Sequence, residues 1–382
     1  MSVHSSRARA RHVCPILPLL LLAACAGPVS DGATASGTTT TSDSTGTTGE
    51  PEGAGLQADV ESVVPLDAHG GVVALVLRDG VESTAAAGTA NADGDPLSVD
   101  MPFNIASVTK TYTATLIFQL QEQGLLDVTD ALSVYLPQTS YGPDVTLDTL
   151  LNHRSGIPDY ASSPAYFADV ISDPDRVFTP WELVGYADFE PAAPAGEAYA
   201  YSNTGFTLLG LVIEEVTGAP LSEALQAGIV EPLGLSSTEL IDPTSFPSDM
   251  PSAWLDPTSF GFPPDTALPV MPVPALFSGC QADCGIVTTA ADLRRFYEGL
   301  FDGSLVSEQS LAQMTSAEAD AASEGRGLEI FEGEGTPAYG HGGGGTGYTA
   351  VVVIEPESGD VTVVFATNDA FDLQPLLDQY LP

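Results

Sequence analysis

A chain of 382 residues carrying 51 acids against 10 lysines and arginines, with a net charge of −41 at pH 7, is a poor partner for nucleic acid or an anionic membrane surface. Its 43% hydrophobic content is enough for a sizeable globular core, and the acid excess reads as surface solvation. The Asn91-Ala92-Asp93-Gly94-Asp95 cluster lacks a full calcium ligand set and reads as a turn.

The N-terminus has the layout of an export signal: Arg7, Arg9, Arg11 and His12, then an apolar run from Pro15 to Ala24, then Leu22-Ala23-Ala24-Cys25 at a small-residue cleavage site. The apolar run is too short to span a bilayer. Its ending resembles the lipobox of bacterial lipoproteins, which implies a signal peptide over residues 1–24, lipidation of Cys25, and a protein exported to the periplasm or cell surface on a lipid anchor. An ordinary cleaved secretory signal is the alternative. Residues 25–55 are Thr, Ser, Gly and Ala with a few acids and read as a disordered tether of roughly 30 Å reach. Residues 56–382 are predicted to form one domain, and the mature chain keeps only seven basic residues.

Along that domain, Val72 to Arg78, the Asp79-Gly80 pair and Glu82 to Gly88 predict a hairpin. Ser107-Val108-Thr109-Lys110 opens an apolar helix closed by Gly124, and Lys110 is the chain's only lysine. Shorter helices are predicted over Val145 to His153, Trp181 to Phe189 and Gly205 to Thr217. Pro243 to Pro274, with Trp254, Phe260 and Phe262, reads as an ordered loop lining a cleft. Cys280 and Cys284 are the two cysteines left to the domain and are expected to pair as a local disulfide, free thiols being the alternative. A strand over Gly285 to Thr289, a helix from Ala290 to Phe301 capped by Thr289, and a hairpin of Tyr348 to Ile354 with Val361 to Thr367 complete the chain. Strands at both ends with helices between suggest one antiparallel sheet built from N- and C-terminal segments.

Three short motifs carry chemistry. On a helix, Ser107 and Lys110 sit one turn apart at the N-terminus, where the amine reaches the hydroxyl and free N–H groups favour developing negative charge. That arrangement suits an activated serine nucleophile; a capping serine beside a solvated lysine is the bland alternative. Tyr201-Ser202-Asn203 offers a phenol for proton relay and an amide to hold a substrate carbonyl or the Lys110 ammonium, or else a core tyrosine with Asn203 as N-cap. His341-Gly342-Gly343-Gly344-Gly345 permits close backbone approach to a ligand. Gly340 to Gly345 also fits GxGxxG, but a strand follows where a dinucleotide site needs a helix, so neither a nucleotide nor any other cofactor, nor a metal, is expected.

Together with Leu150-Leu151-Asn152-His153-Arg154-Ser155-Gly156-Ile157-Pro158-Asp159-Tyr160 and Gly285-Ile286-Val287-Thr288-Thr289-Ala290-Ala291-Asp292-Leu293, these motifs resemble the serine β-lactamase and penicillin-binding-protein superfamily, in its class C and D-alanyl-D-alanine carboxypeptidase branch. The resemblance covers roughly residues 60 to 370. It implies an α/β (α+β) fold of the β-lactamase/transpeptidase kind: an antiparallel sheet flanked by helices, with a mostly helical region inserted. It implies that Ser107 is acylated, that Lys110 and Tyr201 share acid and base work, that Asn203 orients substrate, and that His341 with Gly342 and Gly343 occupies the third-motif place. The N–H groups of Ser107 and Gly344 would form the oxyanion hole.

Because the acidic chain opposes a neutral lysine, the expectation is a charged Lys110 that lowers the pKa of Tyr201, the phenol acting as base. His341 stands where class C β-lactamases carry lysine, which predicts weak β-lactamase activity at best. Asn104 stands where the family often has a basic residue. The expected activity is D-alanyl-D-alanine carboxypeptidase-like hydrolysis of a small-molecule or peptide substrate by a monomer. Carboxylesterase activity and a non-catalytic binding or sensor domain are the alternatives.

Overall fold

The computed structural model describes residues 52–382 apart from 189–192, 257, 259–262, 264, 265, 268, 271, 272, 332–335 and 346. The signal segment, Cys25, nearly all of the tether, Phe260 and Phe262 lie outside the described residues. In chain order the elements that position the site are α1 (Glu52–Ser62), β1 (Gly71–Arg78), β2 (Val81–Gly88), α2 (Thr109–Glu122), α3 (Asn203–Thr217), α4 (Ala290–Phe301), β3 (Glu329–Phe331), β4 (Ala338–Gly345), β5 (Tyr348–Glu355), β6 (Asp360–Ala366) and α5 (Gln374–Tyr380).

Among the described residues six strands form one antiparallel sheet in the order β2-β1-β6-β5-β4-β3, so the first and last of these strands in sequence pair within it, Val72 opposite Ala366 and Leu77 opposite Val361. The β1–β2 hairpin turns on Asp79 and Gly80, both at positive φ (51° and 76°), as a two-residue turn matched to strand twist requires. Along β1 the side chains alternate between two cores: Val72, Ala74 and Val76 pack with Leu56 and Val60 of α1 and Leu376 of α5, while Val73 and Leu75 pack with Phe296 and Tyr297 of α4. Both faces are covered, which is why β1 reads as an unbroken apolar run although its neighbours are antiparallel. The fold is therefore the expected α/β sheet, flanked by helices, with a mostly helical region between β2 and β3.

Three differences from the sequence reading have physical causes. Helix α1 starts at Glu52, inside the segment read as tether, because Leu56 and Val60, one turn apart, find the outer sheet face to bury against. The glycine-rich stretch before Tyr348 is itself a strand, β4, held by pairing to β5 despite the low strand preference of glycine. Asn203 is the first residue of α3, and Ser202 takes the N-cap position without a side-chain cap hydrogen bond. At two further points the reading holds: Thr289 Oγ1 caps α4 by accepting from Asp292 N–H (3.2 Å), and Asn91 Oδ1 accepts from Asp93 and Asp95 N–H to close a turn. No described helix is long and apolar enough to cross a membrane.

Candidate active site

Ser107 sits in a single 3₁₀ turn, Ala106–Val108, that runs directly into α2. Ala106, just before it, adopts φ +45°, a left-handed conformation that costs a non-glycine residue energy and so needs support. Asn104 supplies it: its Oδ1 accepts from Ala106 N–H (3.2 Å) while its Nδ2 donates to the carbonyls of Cys284 (2.9 Å) and Ile286 (3.3 Å). The residue noted as a family departure thus acts as the brace of the nucleophile turn. Across the gap, a Cβ on Gly343 of β4 would lie 2.3 Å from the Ile105 carbonyl oxygen and 3.1 Å from the Ser107 nitrogen. Only glycine lets the strand edge lie against the serine N–H.

Lys110, fully buried, points back along α2 and makes three hydrogen bonds: to Ser107 Oγ (3.1 Å), Asn203 Oδ1 (2.7 Å) and the Asp283 carbonyl (2.9 Å). The Asn203 amide is oriented by Asp159, whose Oδ2 accepts from Asn203 Nδ2 (3.1 Å) and whose Oδ1 accepts from its backbone N–H (3.3 Å). Asn203 accordingly holds the amine, the second of the two roles open to it in the sequence. Tyr201 donates its hydroxyl to Ser107 Oγ (3.0 Å), so the serine oxygen lies between a phenol and an amine.

Burial sets the protonation balance. Desolvation lowers the Lys110 pKa from its ordinary value, outweighing the opposing fields of Asp283 and Asp159. Desolvation also raises Tyr201 well above the usual phenol range, against the smaller effect of its hydrogen bond to Ser107. Burial thus works against both halves of the expectation of a charged Lys110 with Tyr201 as base. Net charge argued for it, but the solvent-exposed acids are screened by water and the buried amine is not. His153 at φ +57° stacks on Tyr201 (4.1 Å between ring centroids, 27°) and its Nδ1 accepts from Ser202 N–H (3.2 Å). Burial holds that imidazole well below its ordinary pKa, hence neutral, and it positions the phenol.

His341 lies on β4, buried, with Nδ1 against the Gly342 carbonyl and 3.6 Å from Glu329 Oε1. Burial lowers its pKa although Glu329 pulls the other way. The basic residues of the domain are committed elsewhere. Arg78 pairs with Asp360, Arg154 with Asp320, Arg176 with Asp169 and Glu182, Arg294 with Glu82 and Glu298, Arg295 with Asp292, and Arg326 with Asp148. Among the described residues, no arginine is left over to receive a substrate carboxylate.

The structure therefore places Lys110 and Tyr201 on the Ser107 oxygen, Asn203 on Lys110 and Gly343 against the Ser107 nitrogen, and brings Asp159, His153, Asn104 and the Asp283 carbonyl, to which the sequence reading gave no role at the site, into the same network. Asp159 and His153 stood within the motif stretches, but nothing in their spacing showed which side chain they would hold. Cys280 and Cys284 are free thiols, not the expected disulfide; Asp283 lies between them in sequence, and its Oδ2 is 3.4 Å from Cys284 Sγ.

Known proteins share this arrangement of chain. Penicillin-binding protein 4* of Bacillus subtilis (strain 168) is 29% identical over 229 residues, 56% of this chain and 48% of that protein. The D-aminopeptidase of Brucella anthropi is 30% identical over 287 residues, 72% of this chain and 51% of that protein. The chain thus spans about half the length of these two curated relatives. The crystal structure of a D-stereospecific amidohydrolase from Streptomyces sp. superposes with a TM-score of 0.73 at 28% identity, over 86% of this chain and 98% of that one. The Beta-lactamase family model matches residues 61–379, through the nucleophile turn, α3 and the β4 edge, and the chain belongs to that family of serine hydrolases.

Proposed function

We propose that the protein hydrolyses an amide bond through an acyl-enzyme on Ser107, as an amidase or peptidase of the penicillin-binding-protein branch. The observation that carries this is the Ser107 oxygen held 3.1 Å from a buried amine and 3.0 Å from a phenol that donates to it. A neutral Lys110 has two N–H bonds for Asn203 Oδ1 and the Asp283 carbonyl, and one lone pair left for the serine proton. As Oγ attacks the carbonyl carbon, that proton passes to Lys110. The carbonyl electron pair becomes an oxyanion held by the Ser107 N–H and, in this reading, that of Gly344. Collapse breaks the C–N bond, Tyr201 giving its proton to the leaving amine and recovering one from Lys110. Water then attacks the ester by the same relay in reverse, releasing the acid and restoring Ser107.

The D-alanyl-D-alanine carboxypeptidase reading places a terminal carboxylate in the cleft, and the ion-pairing of every arginine among the described residues speaks against it. Amide substrates without that carboxylate fit better, and two of the relatives are named for such chemistry, D-aminopeptidase and D-stereospecific amidohydrolase. Carboxylesterase activity is the second reading, favoured by the same want of a cation. From the N-terminal sequence we also place the domain outside the cytoplasm, on a lipid anchor at Cys25.

Intact-mass spectrometry after exposure to a fluorophosphonate and to a penicillin tests the hydrolase reading. A fluorophosphonate adduct on the wild type that is absent from Ser107→Ala, with little penicillin adduct, is the expected result. No adduct from either reagent would leave a binding domain on this fold as the better reading, and rapid penicillin turnover would restore a carboxylate-recognising site.

A further inference from the structure

The segment from Glu324 to Glu329 is pinned against the active site from several sides. Gly325 has no room for a Cβ, which would lie 2.3 Å from the Met314 carbonyl. Gly327, at φ +78°, packs its Cα onto α2, where a Cβ would lie 2.5 Å from Ala114 Cβ and 2.9 Å from the Lys110 carbonyl oxygen. Arg326 turns away to Asp148 and Glu318. Between these anchors the backbone folds back so that Glu324 and Glu329 meet in an antiparallel bridge.

The two carboxylates this brings together face the reacting groups. Glu329 Oε1 is 3.6 Å from His341 Nδ1 and would lie 3.7 Å from a Cβ on Gly342, beside the β4 edge that abuts Ser107. Glu324 lies against the Tyr199 hydroxyl, the Tyr199 ring meets His153 edge-on at 5.9 Å, and His153 stacks on Tyr201. Among the described residues neither acid has an arginine or lysine partner, and His341 is held toward its neutral form. Two like charges fixed side by side repel, and burial adds to the cost: Glu324 is pushed up to about 7 by desolvation first and by Glu329 second. Such a pair beside a nucleophile is a place prepared for a cation that the protein itself does not supply.

Resting on the reading of Ser107 as the acylated nucleophile, we propose that Glu324 and Glu329 receive the ammonium of an amine-bearing substrate, an amino acid amide or a peptide with a free amino terminus, as it docks against the serine. The specificity is then the inverse of a carboxylate-recognising site. The acids choose the substrate, and the Ser107–Lys110–Tyr201 relay does the chemistry.

The test is competition against fluorophosphonate labelling of Ser107, read by intact mass. The competitors are D-phenylalanine amide and N-acetyl-D-phenylalanine amide, which differ in the ammonium. The wild type should be protected at least about tenfold better by the cationic amide, and this preference should vanish in Glu324→Gln/Glu329→Gln while labelling without competitor persists. Equal protection by the two amides, protection by neither, or a preference surviving in the double variant would each overturn the proposal and leave the hydrolase intact. Loss of wild-type labelling itself would instead overturn the reading of Ser107 beneath it.

Discussion

Lys110 Nζ lies 2.7 Å from Asn203 Oδ1, and the other end of that amide is tied to the Asp159 carboxylate. The amine is thereby fixed by a residue that cannot rotate without losing its acid partner, and it reaches Ser107 Oγ at 3.1 Å. Lys110→Ala should slow acylation by a fluorophosphonate by about 10³-fold or more, and Tyr201→Phe by only about 10- to 100-fold, since the phenol donates and does not abstract. Labelling rates by stopped mass analysis measure both; the opposite ranking would return the base to Tyr201.

Gly343→Ala should cut the acylation rate by about 10²-fold while leaving the domain folded. The added Cβ has nowhere to go except by moving β4 away from the Ile105 carbonyl and the Ser107 N–H. Circular dichroism beside labelling kinetics separates a displaced strand edge from an unfolded chain.

Glu324 gives a pH dependence of known sign. Its carboxyl titrates near 7 in the fold and near 4.5 when unfolded, so the unfolded chain releases its proton first as pH rises. Stability should therefore fall between pH 4.5 and 7, by no more than about 3 kcal/mol from this group, and Glu324→Gln should flatten that part of the curve. Tyr199 and His341 flank the pair, and the field of Lys110 draws the Glu324 transition downward against that of Glu329. Preference for the cationic competitor should rise from pH 6 toward pH 7 as Glu324 ionises and fall again above about pH 7.7, where the competitor's own α-ammonium titrates. Urea unfolding across pH and the competition assay give the two readouts.

Cys280 and Cys284 flank a loop whose successive carbonyls serve the site: Ala282 O accepts from Thr113 Oγ1 (2.6 Å), Asp283 O from Lys110, and Cys284 O from Asn104. Mild oxidation by a disulfide reagent should join the thiols, lowering the mass by two hydrogens, and stabilise the domain by about 2 kcal/mol for so short a loop. A fall in melting temperature on oxidation would show that the bond distorts the loop.

Cys25→Ser should release the protein from membranes of the expressing cell into the soluble fraction. Unchanged membrane association would remove the lipid anchor.

How far the sequence spoke depends on which residues carry their meaning locally. The relation of Ser107 to Lys110 is one helical turn, so it was legible, and the rarity of lysine marked it. The β1–β2 hairpin was legible from Asp79-Gly80 for the same reason. Asp159 and Glu324 act across 44 or more residues of chain, through partners that only the packed fold chooses, and no local pattern distinguishes them from the other acids. The downward pull on Lys110 was not legible in the net charge, because total charge is a property of the surface, whereas a pKa belongs to one buried atom.

The pairing of β1 with β6 bears on how the chain is made. Gly71 N–H finds its acceptor in Thr367, 296 residues further on, so the strand beside the middle of the sheet waits for that whole stretch to be made before its edge is filled. Until then an apolar strand with one open ladder is exposed to other chains, and closure of so large a loop slows the final step. A ribosome-stalled or truncated chain ending before Asp360 should therefore be sticky and protease-sensitive along its whole length, not merely short of a terminus.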